Sequence, residues 1–418
     1  MKTKCVRLHG ANDLRVEEIE LPEIKDDEIL ARITTNSVCM SDHKAADQGA
    51  AHKRVPDDVA ENPIIMGHEF CGEIVKVGAK WQGKYKVGER FSIQPACKYE
   101  PHPLYAPGYS FAHCGGYSEM VVIPPHIMAE GGLLAYNGPC FFLGSLSEPV
   151  SCIIGTYHAM YHTEPGVYTH KMGIVEGGNM AIIAGVGPMG LGAIDYAIHN
   201  DCKPALLVVT DIDDARLARA EQLLSAEDAA KNGVKLVYLN TKDIDAVKTM
   251  MDLTDGHGYD DILVMAPVKP LVEQADAILA FDGCLNFFAG PNKTDFSAMM
   301  NFYNVHYASH HVVGTSGGST SDMVEALSMM EKGKLNPAAM ITHVGGINCV
   351  PETVVNLPSI PGGKKLIYTH LTMPLTAISD FEKEGKTNPV FAELDRICKA
   401  HKNLWCAEAE QYLLSNWK

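Results

Sequence analysis

Between about residues 180 and 290, the chain alternates short apolar segments with helical patterns. Segments of this length are typical of buried strands, and a helix between two strands brings them into parallel alignment. The alternation therefore predicts βαβ units and an α/β fold with a doubly wound parallel sheet. The expected strands are 180–184, 206–210, 236–239, 261–265 and 284–289, with helices that include 190–200 and 213–224.

The first predicted strand runs into the first helix through a loop of the pattern G-x-G-x-x-G. Its glycines, Gly185, Gly187 and Gly190, suit a tight turn, a close approach of the backbone to a pyrophosphate, and close packing of the helix on the strand. The N-terminus of the helix offers N–H donors to phosphate. The pattern alone also fits a surface turn, but its place between strand and helix predicts a dinucleotide site that includes Pro188 and Met189.

An acidic residue after the second predicted strand bears on the choice of cofactor. Asp211 lies about 20 residues beyond Gly190, where an acid binds the ribose hydroxyls of NAD. Two further aspartates nearby would repel the 2′-phosphate of NADP, so NAD(H) is favoured, while Arg216 leaves NADP(H) open. Ala266 and Ala289, at the ends of two later strands, complete the predicted cofactor contacts.

Four residues ahead of this region have the chemistry of a zinc site. Cys39 follows an early segment with the alternating pattern of a strand, His68 and Glu69 come next, and Glu148 shortly precedes the nucleotide-binding region. Thiolate, imidazole and carboxylate groups bind zinc, and three of them with an open fourth position make a Lewis acid. Taken singly, such a cysteine is more often a core residue. Together these residues predict one catalytic zinc on Cys39, His68 and either Glu69 or Glu148.

The order of these motifs resembles the zinc-dependent medium-chain alcohol/polyol dehydrogenases over about residues 1–370. The motifs are Cys39-x-Ser-Asp, Gly67-His-Glu, residues 115–124, Glu148-Pro, the glycine loop and Ile341-Thr-His343. The resemblance implies a GroES-like, antiparallel β-rich catalytic domain, residues 1–150 and 313–418, that holds the zinc. It also implies an inserted Rossmann domain, residues 151–312, that binds NAD(P).

The resemblance assigns roles to the residues of the predicted site. Cys39 and His68 would bind zinc, and Glu69 would follow as a ligand or neighbour that also counts among the catalytic residues. Glutamate at Glu148 is typical of the branch that acts on polyols and ketoses, in which the two glutamates can exchange on the metal. Lys364 stands where relatives often reach toward the cofactor.

Longer strings resemble members of the family that reduce a ketose 1-phosphate to a hexitol 6-phosphate with a reduced nicotinamide cofactor. Neighbouring specificities stay open, namely a free polyol, galactitol phosphate or threonine, as does a nucleotide-binding relative without catalysis. The intact metal set argues against the last, because degenerate relatives usually lose it first. The strings are residues 56–60, 107–111, 282–291, 301–303, 305–308 and 314–318.

Residues just after the zinc cysteine are candidates for proton transfer. Ser41 would pass a proton to the substrate oxygen, with His43 or a cofactor ribose hydroxyl as the next group. In many relatives a histidine ends this relay at the position that Lys44 occupies here. Asp42 is expected to orient the imidazole of His68 through a hydrogen bond, although a turn or helix-capping role fits it equally.

A phosphate ester would need a local cationic site, because the chain has a net charge of −16, with 35 Lys+Arg against 51 Asp+Glu. Lys44, Lys53 and Arg54, with His52 beside them, lie close behind the zinc cysteine and are the candidates. Singly, such residues are more often solvated surface charges. No Lys/Arg-rich run is present, which argues against a nucleic-acid partner.

Other features of the sequence bear on location and assembly. The longest apolar stretch, 181–194, is interrupted by glycine and proline, which argues against a membrane span. The 12 cysteines include no C-x-x-C pair and no signal peptide is visible, so a reducing cytoplasm is expected. The loop after residues 94–95 has only Cys97 and Cys114, so the structural zinc of many relatives is expected to be absent.

The segment from Thr372 onward extends past the usual end of the family. Its apolar residues recur at helical spacing, which fits either core packing or a contact between subunits. Relatives assemble as homodimers or homotetramers, and the resemblance implies the same here.

Overall fold

The computed structural model describes residues 1–100, 102–291 and 293–417, which form two compact units. The first comprises Met1–Glu148, Ser319–Lys332 and Ile341–Lys418, and the second comprises Pro149–Gly318 and Gly333–Met340. Within the described ranges, no helix combines the length and the apolar character that crossing a bilayer requires.

The elements are numbered in chain order. The strands are β1 (Lys2–Gly10), β2 (Asp13–Glu20), β3 (Ile29–Ser37), β4 (Ile64–Ile65), β5 (Phe70–Val77), β6 (Arg90–Ile93), β7 (Met120–Ile123), β8 (Leu133–Ala135), β9 (Tyr161–His162), β10 (Lys171–Met172), β11 (Asn179–Ile183), β12 (Leu206–Asp211), β13 (Lys235–Asn240), β14 (Tyr259–Val264), β15 (Leu279–Phe287), β16 (His311–Gly314), β17 (Ile341–Gly346), β18 (Lys364–Tyr368) and β19 (Thr376–Ala377). The helices are α1 (Met40–Gln48), α2 (Pro125–Ala129), α3 (Phe141–Ala159), α4 (Pro188–His199), α5 (Asp214–Leu223), α6 (Ala226–Lys231), α7 (Ala246–Asp252), α8 (Lys269–Ile278), α9 (Phe302–Tyr307), α10 (Thr320–Glu331), α11 (Val350–Val355), α12 (Phe381–Glu384), α13 (Pro389–Ala400) and α14 (Ala407–Asn416).

The first unit is built mainly from antiparallel strands. One sheet has eight strands in the order β19-β17-β18-β3-β5-β6-β8, with β7 paired to β3, and a second has the order β2-β1-β4. Strand β3 pairs antiparallel with β5, β7 and β18, and its alternate residues Ile29, Ala31 and Ile33 are buried in the core. Because β3 ends between β5 and β18, the residues that follow it meet the starts of both strands.

The second unit contains a parallel sheet of six strands in the order β13-β12-β11-β14-β15-β16. The direction of strand order reverses between β11 and β14, which is where sheets of this type bind dinucleotides. The five predicted strands correspond to β11–β15. The sixth, β16, is a short edge strand with alternating exposure that spans residue 312, and its four residues gave no comparable sequence signal.

The predicted fold class, an antiparallel β-rich part with a doubly wound parallel sheet, is therefore confirmed. The C-terminal segment forms α12, α13 and α14, and α13 packs against both neighbouring helices. Of the two readings of its apolar pattern, core packing applies to the residues that the chain itself buries. These are Phe391, Leu394, Ile397, Cys398, Trp405 and Leu413.

Candidate metal centre and nucleotide loop

The first turn of α1 fixes the backbone of Cys39, which immediately precedes the helix. The buried Asp42 turns its carboxylate back toward the helix start, where Oδ2 accepts the N–H of Cys39 at 3.1 Å and the hydroxyl of Tyr117 at 2.7 Å. A carboxylate in the first turn also suits the positive end of the helix dipole. Asp42 therefore does cap the helix, as one sequence interpretation allowed.

His68 follows a tight turn that requires glycine. Gly67 has a φ of +91°, and a Cβ at this position would lie 2.9 Å from the ring of Tyr117. Gly108 packs against the same turn so closely that its Cβ would lie 2.0 Å from the carbonyl oxygen of Gly67. The two glycines thus bring the loop 107–111 directly onto the turn that carries His68.

Cys39, His68 and Glu69 form a group that could hold a metal ion, since their donor atoms lie within 4.8 Å of one another. In the part of the chain that the structure describes, this is the single such group of histidine, cysteine and acidic residues. Nδ1 of His68 donates to Oδ1 of Asp42 at 2.7 Å, which leaves the lone pair of Nε2 for a metal. Sulfur, imidazole nitrogen and carboxylate oxygen are donors that zinc prefers, so the residues fit zinc.

Neighbouring side chains in and beside the metal group raise the pKa of His68. Burial alone acts to lower the pKa of His68, but the carboxylate of Asp42 and the side chain of Cys39 together hold it well above its usual value. The negative charge of Asp42 is the largest of these opposing influences, and the hydrogen bond to Asp42 that orients the ring comes next. The contact that the sequence predicts between these two residues is present, while its catalytic role stays a prediction.

A buried lysine lies against Glu69. Nζ of Lys364, at the start of β18, is 2.6 and 2.5 Å from the two carboxylate oxygens of Glu69, and the hydroxyl of Ser37 donates to one of them. Burial acts to lower the pKa of Lys364, but the charges of Glu69, Cys39 and Glu148 raise it above its usual value. The structure pairs this ammonium with the metal group, and the cofactor contact expected of Lys364 stays a prediction.

The two glutamates that the sequence left open occupy different places. Glu69 lies in the group with Cys39 and His68, whereas Glu148, on α3, lies outside it and close enough to Lys364 to act on its pKa. In this arrangement Glu69 is the carboxylate within ligand distance of the cysteine and histidine.

The structure brings one of the predicted relay residues to the metal group. Oγ of Ser41 is 3.0 Å from Sγ of Cys39 and 3.4 Å from Nε2 of His68. Nδ1 of His43 lies 3.0 Å from the carbonyl oxygen of Val354 on α11, which anchors that ring. Proton transfer through either side chain stays a prediction.

Tyr109 is a site residue that the sequence analysis missed. It is 4% exposed, its hydroxyl is 3.2 Å from Nε2 of His68, and its ring stacks on His52 at 6.0 Å between centroids. The guanidinium carbon of Arg54 lies 5.3 Å from the centroid of the same ring. The residue lies in the string 107–111, which the sequence analysis used only for its resemblance.

The three cations proposed for phosphate gather around His52. The pKa of His52 is lowered to about 4, first by burial and then by the positive charges of Arg54, Lys53 and Lys44. Charge interactions weaken with distance and with solvent, so all three charges lie near this ring. Of the three cations, Arg54 lies against the ring of Tyr109, whose hydroxyl contacts His68 of the metal group.

The loop between β11 and α4 has the geometry that close approach of a pyrophosphate requires. A Cβ at Gly190 would lie 2.0 Å from the carbonyl oxygen of Gly185, so only glycine allows the helix to pack this tightly on the strand. Gly187 caps α4, which begins Pro188-Met189, and a Cβ there would meet only the guanidinium of Arg216 at 3.5 Å. The backbone at Gly187 is therefore open.

The other predicted cofactor residues of the second unit lie at the same edge of its sheet. Asp211 ends β12, and its Oδ1 accepts the N–H groups of the next two residues at 2.8 and 3.2 Å, with Nη1 of Arg216 3.9 Å away. Ala266 and Ala289 follow the ends of β14 and β15, and the N–H of Ala289 donates to Val264 at 3.1 Å. Parallel strands end at one edge, so these residues surround the glycine loop.

The loop expected to lack a structural zinc has its two cysteines in the core. Cys97 and Cys114 are buried in the same hydrophobic cluster as Phe70, Phe91 and Ile127. Burial raises the pKa of both thiols, that of Cys97 to about 11. Both residues thus pack as small apolar side chains, and a single zinc per chain stays a prediction.

Comparison with known proteins identifies the family. Residues 25–131 match the alcohol dehydrogenase GroES-like domain, and residues 188–332 match the zinc-binding dehydrogenase domain. Over 414 residues, the chain is 48% identical to the mannitol-1-phosphate 5-dehydrogenase of Aliivibrio fischeri, with 99% of this chain and 97% of that protein covered. It is 47% identical over 414 residues to the L-sorbose 1-phosphate reductase of Klebsiella pneumoniae, with 99% and 98% covered. This chain belongs to the zinc-dependent medium-chain dehydrogenases.

The dehydrogenase is similar to further proteins in sequence and in fold. It is 52% identical over 418 residues to YggP, an uncharacterised protein of Escherichia coli strain K12, with 100% of this chain and 98% of that protein covered. In fold it is similar to a putative zinc-binding dehydrogenase from Sinorhizobium meliloti 1021, whose crystal structure was determined bound to NADP. The TM-score is 0.71 at 18% identity, with 88% of this chain and 99% of that chain covered. The predictions of an oxidoreductase and of this family are confirmed.

Proposed function

We propose that the dehydrogenase transfers a hydride between a nicotinamide cofactor and a ketose phosphate or polyol phosphate, with L-sorbose 1-phosphate and D-glucitol 6-phosphate as the pair. The observation that carries the proposal is the positive charge of Lys44, Lys53 and Arg54 around His52, which Tyr109 joins to the metal group. In a chain of net charge −16, such local charge supports an anionic substrate. Two relatives at 47–48% identity are named for phosphorylated sugars or polyols.

Arg54 is the cation best suited to the phosphate group. Its guanidinium lies over the ring of Tyr109, whose hydroxyl is 3.2 Å from Nε2 of His68. A planar guanidinium can pair with two phosphate oxygens at once, and stacking on an aromatic ring fixes its plane. A substrate bound by its carbonyl oxygen at the metal would extend its phosphate toward this residue.

The metal group would act through ligands held by their neighbours. Cys39, His68 and Glu69 would bind zinc, with Glu148 as the alternative carboxylate. When bound, zinc polarises the substrate carbonyl and the nicotinamide supplies or accepts the hydride. Asp42 would keep the proton of His68 on Nδ1, so that Nε2 stays available as a ligand.

A proton must reach the substrate oxygen during reduction. Oγ of Ser41 lies beside both Cys39 and His68, so its hydroxyl would donate that proton, and accept it in the reverse direction. His43 would resupply Ser41 through its second ring nitrogen. The hydroxyl of Tyr109, at a similar distance from His68, would help to position the substrate oxygen.

NAD(H) is the proposed cofactor. The N–H groups at the start of α4 and the open backbone at Gly187 would hold the pyrophosphate, and Asp211 would bind the adenosine ribose. The guanidinium of Arg216 lies 3.9 Å from Asp211, which keeps NADP(H) as the alternative.

Mannitol 1-phosphate is the second candidate substrate, because a relative of 48% identity is named for its oxidation at carbon 5. The two candidates differ in where the phosphate stands. In L-sorbose 1-phosphate it is on the carbon next to the carbonyl, whereas oxidation of mannitol 1-phosphate at carbon 5 gives D-fructose 6-phosphate, with the phosphate at the far end. A preference for one of the two ketoses would therefore indicate whether the cationic residues bind a phosphate close to the metal or far from it.

The first experiment compares rates of NADH oxidation with L-sorbose 1-phosphate, D-fructose 6-phosphate and free L-sorbose. We expect kcat/KM for L-sorbose 1-phosphate to exceed that for L-sorbose by at least about 100-fold, since a charged hydrogen bond contributes about 1.5–3 kcal/mol and several cations take part. An equal kcat/KM for free L-sorbose would contradict the proposal that the substrate is a phosphate ester. Preference for D-fructose 6-phosphate would select the second candidate.

The variant Arg54→Gln tests the cationic residues directly. It should raise KM for the phosphate ester about tenfold or more and leave kcat/KM for the free sugar unchanged, because only the ester carries the anion. Lys80→Gln is the matched control, since it removes a surface cation that lies over Trp81, away from the metal group. A similar rise in KM in both variants would contradict the assignment of Arg54.

A further inference from the structure

The C-terminal segment supplies a buried carboxylate that caps a helix far earlier in the chain. Glu410 on α14 is 3% exposed, and its two oxygens accept the N–H groups of Phe141 at 2.6 Å and Phe142 at 2.9 Å. These residues begin α3, whose first turn has no acidic residue of its own. A helix start leaves unpaired N–H groups and a positive dipole end, so this carboxylate from a distant part of the chain stabilises the start of α3.

The same carboxylate holds the end of β18. The hydroxyl of Tyr368 donates to Oε2 of Glu410 at 3.0 Å, and the indole N–H of Trp405 donates to the Tyr368 oxygen at 2.8 Å. Tyr368 and Trp405 are both buried. β18 begins at Lys364, whose ammonium contacts Glu69. One side chain of the C-terminal segment is thus bonded to both α3 and β18.

Helix α3 carries Glu148 two turns after the residues that Glu410 caps. The helix packs tightly on β5, because a Cβ at Gly144 would lie 2.4 Å from Sγ of Cys71. Ser147, next to Glu148, has its hydroxyl 2.7 Å from that of Ser92 on β6. A helix rises about 1.5 Å per residue and moves as a unit, so a shift at its start is carried to Glu148.

We propose that Glu410 is a positioning residue for the metal centre. By holding α3 and β18 together, it sets the positions of Glu148 and Lys364 around Glu69, and thereby the affinity of the site for zinc. The inference rests on the proposed zinc ligands Cys39, His68, Glu69 and Glu148. It gives the C-terminal segment a role in the chemistry of the site in addition to packing.

The C-terminal segment is matched in the full-length relatives. The relatives at 47–52% identity align with 99–100% of the chain, so their alignments extend into the C-terminal segment. The structurally similar dehydrogenase from Sinorhizobium meliloti covers 88% of this chain although 99% of its own length is matched. Part of this chain is therefore additional to that fold.

The test is the affinity of the full-length variant Glu410→Gln for zinc, measured by competition with a chromophoric chelator. The amide keeps the shape of the side chain but loses its charge and one acceptor oxygen. We expect zinc to bind about tenfold or more weakly, as when partners of metal ligands are removed. The visible absorption of the Co²⁺-substituted protein should change as well, because it reports the geometry of the ligands.

Leu394→Ala is the matched control. Leu394 is buried in α13 of the same segment, which packs against α12 and α14. This variant should lower the melting temperature but leave the zinc affinity and the Co²⁺ spectrum unchanged. An equal loss of zinc affinity in Leu394→Ala would overturn the proposal, because the segment would then act only through general stability.

Tyr368→Phe gives an independent measurement that keeps the cap on α3. It removes only the hydroxyl between Glu410 and Trp405, so we expect a smaller weakening of zinc binding, and this variant decides the matter if Glu410→Gln does not fold. If Glu410→Gln folds and has the zinc affinity and Co²⁺ spectrum of the parent protein, the proposed role of Glu410 is overturned but the metal centre is not. If it does not fold, the same result in Tyr368→Phe has the same meaning. A parental protein without zinc affinity would overturn the proposed metal centre itself.

Discussion

The two candidate sites of this dehydrogenase are built in different ways. The nucleotide loop is one continuous stretch, 185–190, and its chemistry lies in backbone N–H groups and in the absence of side chains. The metal group joins Cys39 to the adjacent pair His68 and Glu69, about 30 residues later in the chain, and a lysine from β18 lies against it. The first site depends on local backbone geometry, and the second depends on side chains that the antiparallel unit buries together.

If this contrast holds, substitutions near the metal group should weaken zinc binding by removing charge. Substitutions in the glycine loop should weaken NADH binding by adding atoms where the backbone has no room. Asp42→Asn should have the largest effect. The amide can still accept the proton of His68, but the negative charge is lost, so zinc affinity should fall about 10- to 100-fold while NADH affinity is unchanged. Chelator competition and fluorescence titration with NADH measure the two affinities.

The control for this change lies on the same helix. Asp47→Asn removes an exposed carboxylate of α1 whose partner is Asn12, and it should leave zinc affinity as in the parent. Unchanged zinc binding in Asp42→Asn would mean that orientation of His68 does not depend on charge, and the contrast between the two sites would lose its main support.

Gly190→Ala should have the next largest effect, and in the other unit. The added methyl would lie 2.0 Å from the backbone oxygen of Gly185, so α4 must move away from β11. We expect NADH to bind about tenfold or more weakly, a loss of about 1.4 kcal/mol, with full retention of zinc. Gly83→Ala is the control, because a Cβ there meets nothing within 4 Å. Loss of zinc from Gly190→Ala would break the separation of the two sites.

The smallest expected effect concerns the cations beside the metal group. The pKa of His52 is about 4 because burial and the charges of Arg54, Lys53 and Lys44 all oppose its protonation. An anion bound among these charges would partly cancel them, so inorganic phosphate should raise the pKa of His52. His126 has a pKa of about 4 from burial alone and should not respond. NMR titration of the histidine Cε1–H signals with and without phosphate distinguishes the two.

An equal shift in the pKa of both histidines would indicate a general salt effect. An unchanged pKa of His52 would contradict the proposal that these cations bind phosphate. Neither result bears on the metal group itself, because His52 stacks on Tyr109 and it is Tyr109 whose hydroxyl lies 3.2 Å from Nε2 of His68. The measurement thus separates the question of substrate from the question of metal.

Much of the fold could be predicted from the sequence because its signals are local. The alternation of apolar strands and helical patterns gave β11–β14 and the first helices within one or two residues, whereas β15 begins five residues before the predicted start. The glycine loop marked the candidate nucleotide site. The edge strand β16 was missed, since it has only four residues and alternating exposure. An edge strand needs no continuous apolar run, so its sequence resembles that of a loop.

The metal site was predictable in part. Cys39, His68 and Glu69 were recognised by residue type and order, and the structure brings them together. Tyr109, Tyr117 and Glu410 were missed, because a tyrosine in a loop or a glutamate in a C-terminal helix has no local pattern that distinguishes it. Lys364 was noticed from the resemblance, as a position where relatives often reach toward the cofactor, but its contact with Glu69 was not predicted.

By itself, the sequence of this protein determined the parallel sheet, the glycine loop and the side chains of the candidate metal group, because each is recognised by residue type and order. Only the tertiary structure decided that Glu69, and not Glu148, is grouped with Cys39 and His68, that Lys364 pairs with Glu69, and that Glu410 caps α3. Cys39 and Glu69 are 30 positions apart in the chain, and the partners in the other two contacts are 295 and 269 positions apart. They arise when strands pair and helices pack, and no short stretch of sequence contains both partners.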